Sequence, residues 1–217
     1  MRLREFGVEL KVPAADFDAR HRFRLGTRFV CAHYERCFPG LQTEGVWKVL
    51  VECVQVVDEP RILCLSGVMV IQQLFDMDRF DRSVPDLRHR QALAVLHDGA
   101  LAVAREQNWP RAPFEAAERC VLDADLVNRW TWPKPRASPD RKLRAFLDCH
   151  HESERFRAWL VVTDRYGAEI QRILAFEDRP SEFAFVPNMG KLRWSSSARV
   201  ALEAKDGHEV AALEVAR

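Results

Sequence analysis

From Lys142 onward the sequence breaks into short runs in which apolar and polar residues mostly alternate. They are Lys142–His150, Arg157–Thr163, Glu169–Phe176, Glu182–Val186, Lys191–Trp194, Ala198–Ala204 and Glu209–Val215. A period of two sends successive side chains to opposite faces of an extended chain, so each run reads as a strand with a buried face. Turn residues separate them at Asp164-Arg165-Tyr166-Gly167, Pro187-Asn188-Met189-Gly190 and Asp206-Gly207. Asp206-Gly207 reads as a two-residue primed turn, because glycine takes positive φ at little steric cost. The whole tail is therefore expected to be an antiparallel meander.

Upstream the periodicity changes. Phe6–Lys11 reads as a short strand, and Pro13 followed by Asp16 opens a helix of roughly twenty residues that places Leu25, Phe29, Ala32 and His33 near one face. Cys37-Phe38-Pro39-Gly40 ends it, since proline lacks a backbone donor and glycine tolerates a left-handed exit. Trp47, Val49, Val51 and Cys53 alternate with Lys48, Leu50, Glu52 and Val54, which predicts a strand. Arg61–Phe75 reads as a second strand with a bulge or break at Gly67. Between Pro85 and Asn108, Leu93, Leu96, Ala100, Val103 and Ala104 recur at helical spacing, and a further helix starts near Pro113 and runs towards Asn128.

Trp130-Thr131-Trp132-Pro133-Lys134-Pro135 then forbids a helix and marks the change from the helical middle to the strand-rich tail. The expected fold is α+β, with the antiparallel meander of the C-terminal third to half packed with about three helices from the N-terminal and middle segments. Residues 1–217 are read as a single domain, with 130–140 the one candidate subdivision. The segment Trp130–Asp140 is expected to be an ordered loop over the sheet.

The composition, 47% hydrophobic and 30% charged, is that of a globular chain and excludes a disordered one. Lys plus Arg (33) nearly cancels Asp plus Glu (32), which disfavours nucleic acid as the main ligand. The densest basic run, Arg20, His21, Arg22, Arg24 and Arg28, is flanked by Asp16, Asp18 and Glu35 and reads as a solvated face. No apolar run is long enough to span a bilayer, and MRLREFGVEL is not a secretory leader, so no membrane partner and a cytoplasmic location are expected. In that setting the six cysteines read as reduced and mostly buried, without disulfides.

Several groups have chemistry-bearing residue types. Cys31-x-His33-x3-Cys37 lacks a fourth ligand for a closed zinc site and reads as buried thiols beside an ordinary histidine. In Cys149-His150-His151-Glu152, adjacent strand residues point apart, but Cys149 and His151 share a face and could pair as thiol and base. Asp76 and Asp78, with Asp81 beyond them, could hold a cation, although neither the glycine nor the terminal Glu of a calcium loop is present. His97 reads as a satisfied helix histidine. No cofactor motif is found, and glycine-rich phosphate loops, G-x-S-x-G and H-E-x-x-H are all missing from the sequence.

Trp130 and Trp132, flanked by Lys134 and Arg136, are the candidate partner-binding residues, because tryptophan and cations anchor protein interfaces. At least one of the two rings is expected to be partly exposed. Replacing both by Ala is expected to cost affinity by more than about 2 kcal/mol with the thermal midpoint nearly unchanged.

Trp132-Pro133-Lys134-Pro135-x3-Pro139-Asp140-Arg141-Lys142-Leu143 and Phe185-x-Pro187-x2-Gly190-Lys191-Leu192-Arg193-Trp194 resemble small bacterial proteins, some of them associated with toxin–immunity loci. The resemblance covers about the last hundred residues and carries over no functional residue. It implies a non-enzymatic cytosolic binding protein with a protein partner. An enzyme using Cys149 and His151, or Asp76 and Asp78, is the alternative, and a self-associating structural subunit is a third. Oligomeric state is left open.

Overall fold

The computed structural model describes residues 1–11 and 16–215. The expected helix start at Pro13 lies outside the described residues. The chain is of α+β class and divides into two compact units, Met1–Asn128 and Arg129–Arg217.

The first unit begins with β1 (Arg2–Leu3) and β2 (Glu5–Leu10). It continues through α1 (Phe17–Cys37), β3 (Leu41–Gln42) and β4 (Lys48–Val54). β5 (Leu63–Leu65), β6 (Val68–Leu74), α2 (Met77–Arg82), α3 (Pro85–Glu106) and α4 (Ala112–Asp123) complete it. Its main sheet has the order β2-β4-β6-β5, with β2, β4 and β6 parallel and β5 antiparallel at one edge. Parallel neighbours need a crossover, and α1 supplies it between β2 and β4. The run 61–75 is two strands, not one: Ser66 (φ 50°) and Gly67 (φ 82°) form a two-residue primed turn, so the break expected at Gly67 reverses the chain.

Alternation sends Phe6, Val8, Val49, Val51, Met69 and Ile71 to the helical side, where they join Phe23, Val30 and Tyr34 of α1, Leu93 and Leu96 of α3 and Phe114 of α4. Burying each such side chain is worth about 1.5–3 kcal/mol. Gly99 lets α3 lie close on β4, since a Cβ there would stand 2.5 Å from Val51 Cγ2. The exits of α3 and α4 are left-handed: α3 turns at Asn108 (φ 53°), with Trp109 N–H bonded to Ala104 O, and α4 turns at Asp125 (φ 48°), with Leu126 N–H bonded to Val121 O.

Two cysteines correct the expectation of reduced thiols. Cys37, at the end of α1, is disulfide-bonded to Cys120 of α4, while Cys31, Cys53, Cys64 and Cys149 take part in no disulfide. No pair could be read from six cysteines in a chain of this length, because the pairing depends on how α1 and α4 pack.

The second unit comprises β7 (Arg129–Ala137), β8 (Leu143–His151), β9 (Phe156–Asp164) and β10 (Glu169–Asp178). These are followed by α5 (Glu182–Phe185), a 3₁₀ turn over Val186–Asn188, β11 (Lys191–Trp194), β12 (Arg199–Glu203) and β13 (Glu209–Glu214). All its pairings are antiparallel, but they form two sheets, β10-β9-β8-β7 and β11-β12-β13. Leu147, Phe156 and Leu160 of the first sheet meet Leu192, Val200, Leu202 and Leu213 of the second in one core. β13 lies against β10 and β11 against β7.

Glu182–Val186 is helical, not a strand, and its Phe185 ring stacks on Phe156 with centroids 3.9 Å apart. At Asp206-Gly207 only the glycine has positive φ, 95°. Ala204 N–H bonds to His208 O and Gly207 N–H to Ala204 O, a three-residue turn in place of the two-residue one expected. The turn Asp164–Ala168 repeats this pattern around Gly167 (φ 98°).

Candidate functional site

The segment from Trp130 to Asp140 is the first correction at the expected site. It is an edge strand with a tight turn, where a loop was expected. Pro133 and Pro135 have no N–H to donate, and an edge is where a sheet tolerates them. Around them the pairing slips: Trp132 faces Leu147 and Arg136 faces Ala145, so the intervening residues bulge from the ladder. Lys134, Pro135 and Arg136 are exposed there.

Trp130 and Trp132 pair with Cys149 and Leu147, whose side chains face the second core, and both indoles are half-buried against it. The Trp130 ring lies 5.8 Å from that of Phe156. The rings therefore pack inward, while Lys134 and Arg136 face solvent.

The turn that follows is held by side chains. Ser138 is 2% exposed, and its hydroxyl donates to Asp140 Oδ1 (2.7 Å) and accepts from Leu143 N–H (3.1 Å). Asp140 Oδ1 also accepts from Lys142 N–H (3.3 Å). Arg141, at φ 58°, donates its N–H to Ser138 O (2.9 Å). On the strand side, Trp194 Nε1 donates to Arg136 O (3.0 Å), tying β11 to β7. A short polar turn with this many internal bonds has little conformational freedom left to lose on binding.

Cys149 and His151 share the inward face, as alternation requires, but they are 0% and 1% exposed. His151 Nε2 is 3.1 Å from Pro180 O, with its ring edge-on to Phe156 and Phe185. Asp76 caps α2 by accepting from Arg79 N–H (2.9 Å). Asp76 and Asp78 line a surface depression of about 440 Å³ with Gln55, Leu74, Phe75 and Met77. Among the described residues no three His, Cys, Asp or Glu side chains are grouped to hold a metal ion. His97 is bonded on both nitrogens: Nδ1 to Tyr34 Oη (3.2 Å) and Nε2 to Glu118 Oε2 (3.1 Å). Burial raises the Tyr34 pKa, so its hydroxyl stays protonated.

The most extensive charged network was not read from the sequence. On the outward face of the β7–β10 sheet, Asp148 is 5% exposed and bonded by Arg129 at both oxygens, with Nε–Oδ1 at 2.8 Å. His150 Nε2 stands 3.2 Å and Arg172 Nη2 3.5 Å from Asp148 Oδ2. Arg172 also grips Glu169 (2.8 Å) and lies 5.8 Å above the Trp159 ring. Burial pushes the Asp148 carboxyl up, but the bonds from Arg129 and His150 outweigh it and leave its pKa below the ordinary value. The network clamps β7, β8 and β10 through a satisfied carboxylate. Its one signal in the sequence is that Asp148 and His150 share the face opposite Cys149 and His151. The register placing Arg129 beside them is non-local.

Compared with known proteins, the chain matches no protein-family model, no curated protein and no solved structure. Among the described residues no helix is long and apolar enough to cross a membrane.

Proposed function

We propose that this chain is a non-enzymatic binding protein of the bacterial cytoplasm, immunity-like in action, which neutralises a protein partner by covering its active site. The recognition element in this reading is the β7–β8 hairpin. The observation that carries it is the exposed Lys134-Pro135-Arg136 tract, preceded on the same strand by two half-buried indoles and continued into a turn immobilised by Ser138 and Asp140. A rigid tract of this kind binds without a large ordering cost, and tryptophan and arginine are the residue types that anchor interfaces.

Co-expression with the product of the adjacent gene tests the reading. A complex on size exclusion, with rescue of growth where that product is toxic, is expected, and Lys134→Glu/Arg136→Glu should abolish both. No complex and no rescue would overturn it. Light scattering on the purified chain separates the self-associating alternative, which requires an oligomer.

A further inference from the structure

The β7–β8 turn and the β9–β10 turn emerge at the same end of the four-stranded sheet, as the pairing of Leu143 with Asp164 requires. Lys134, Arg136, Arg141, Lys142 and Arg144 all belong to this hairpin and all are exposed. Among the described residues none of the five has an ion-pair partner. Elsewhere in the same unit Arg129, Arg155, Arg157, Arg172, Arg193 and Arg199 each have a carboxylate. Two carboxylates at this end brace turns. Asp140 holds the Ser138 hydroxyl and Lys142 N–H, and Asp164 accepts from Tyr166 N–H (2.8 Å) and Ala168 N–H (2.9 Å). The hairpin thus presents a fixed excess of positive charge on a chain whose formal net charge is only +1.

We infer that the partner presents an acidic protein surface to this hairpin, an inference that rests on the binding reading above. Guanidinium and ammonium groups left without internal partners gain charge-assisted bonds from carboxylates brought within reach. With a net charge near zero the whole molecule has little long-range pull on a polyanion, so attraction is confined to short-range complementarity at the hairpin, which suits a folded acidic patch. Nucleic acid is the less suitable occupant. The exposed aromatic at this end, Tyr166, has one ring face taken by Arg165, with the guanidinium carbon 4.6 Å from the centroid, and a single remaining face is a limited stacking platform for bases.

The test uses the full chain and two labelled probes, a short poly-glutamate peptide and a short DNA duplex, followed by fluorescence anisotropy at low salt. The peptide is expected to bind, to weaken as salt rises, and to lose at least about tenfold in affinity with Lys134→Glu/Arg141→Glu/Lys142→Glu. Arg22→Glu/Arg24→Glu on α1 should leave its binding unchanged. Unchanged thermal midpoints show that each variant is folded. No peptide binding, equal loss in the α1 variant, or tighter binding of the duplex than of the peptide overturns the inference. Failure of the co-expression experiment, by contrast, is failure of the binding reading itself.

Discussion

Trp130 and Trp132 show how alternation decides what a side chain does. Along β7 it turns both indoles towards Leu147, Cys149 and Phe156, where they are half-buried. Truncating large aromatics that pack on a core costs stability, about 3 kcal/mol or more for a pair of this size. Trp130→Ala/Trp132→Ala is therefore expected to lower the thermal midpoint, and an unchanged midpoint would show that the rings do not support the core. Charge reversal at Lys134 and Arg136 is the cleaner probe of recognition, because neither side chain packs inward.

His33 is a second residue with a measurable consequence. It is 7% exposed, and burial, helped by the charge of Arg36, pushes its pKa down from 6.5 to about 4. The folded chain keeps His33 neutral while the unfolded chain takes up a proton near pH 6.5, so the unfolded state binds more protons between those values. The corresponding stability is fully present above pH 6.5 and is lost as pH falls towards 4, by about 3 kcal/mol in all. Urea midpoints measured across this window should fall in the parent and stay flatter in His33→Leu. Parallel profiles would show that His33 does not carry the effect.

At the scale of elements, the contact between α3 and β4 depends on Gly99. Alanine is the better helix former by about 1 kcal/mol, but its Cβ would stand 2.5 Å from Val51 Cγ2 and 3.1 Å from Cγ1, on a stiff, fully buried neighbour. Overpacking of this kind costs about 1–3 kcal/mol, which outweighs the propensity gain. Gly99→Ala should destabilise the chain in denaturant melts, and Val51→Ala in the same chain should recover part of the loss. If Gly99→Ala is stabilising, the helix is free to move off the sheet. The elements themselves were largely legible. α1, β4 and α3 follow from their periodicity and from the prolines and glycine at their ends, because hydrogen bonds and side-chain spacing inside one segment are local. Besides the loop expected at Trp130–Asp140, readings failed at Arg61–Phe75, Glu182–Val186 and Asp206-Gly207. In each, a short apolar run or a single glycine is compatible with more than one local geometry, and packing chose between them.

At the scale of the whole molecule, the Cys37–Cys120 bond ties the end of α1 to α4 across a sequence separation of 83. Closing a loop of that length removes unfolded-chain entropy worth about 4 kcal/mol. Reductant should lower the thermal midpoint of the oxidised protein and leave Cys37→Ala/Cys120→Ala unaffected. Equal midpoints with and without reductant would remove the disulfide from the stability of the first unit.

Local chemistry alone determined the α+β class, the helices at 17–37, 85–106 and 112–123, most of the strands, and the abrupt change of character after Asn128. Those follow from side-chain period, proline and glycine, which act within a few residues. Tertiary structure decided the parallel order β2-β4-β6, the division of the tail into two sheets, the Cys37–Cys120 pair and the Asp148 network. It also decided that Cys149 and His151, adjacent on one face as expected, are sealed in a core, while the cations of residues 134–144 gather unpaired at a hairpin tip. Each of these depends on which distant segments become neighbours, and that is set by the burial of whole faces against one another, a quantity that no window of sequence contains.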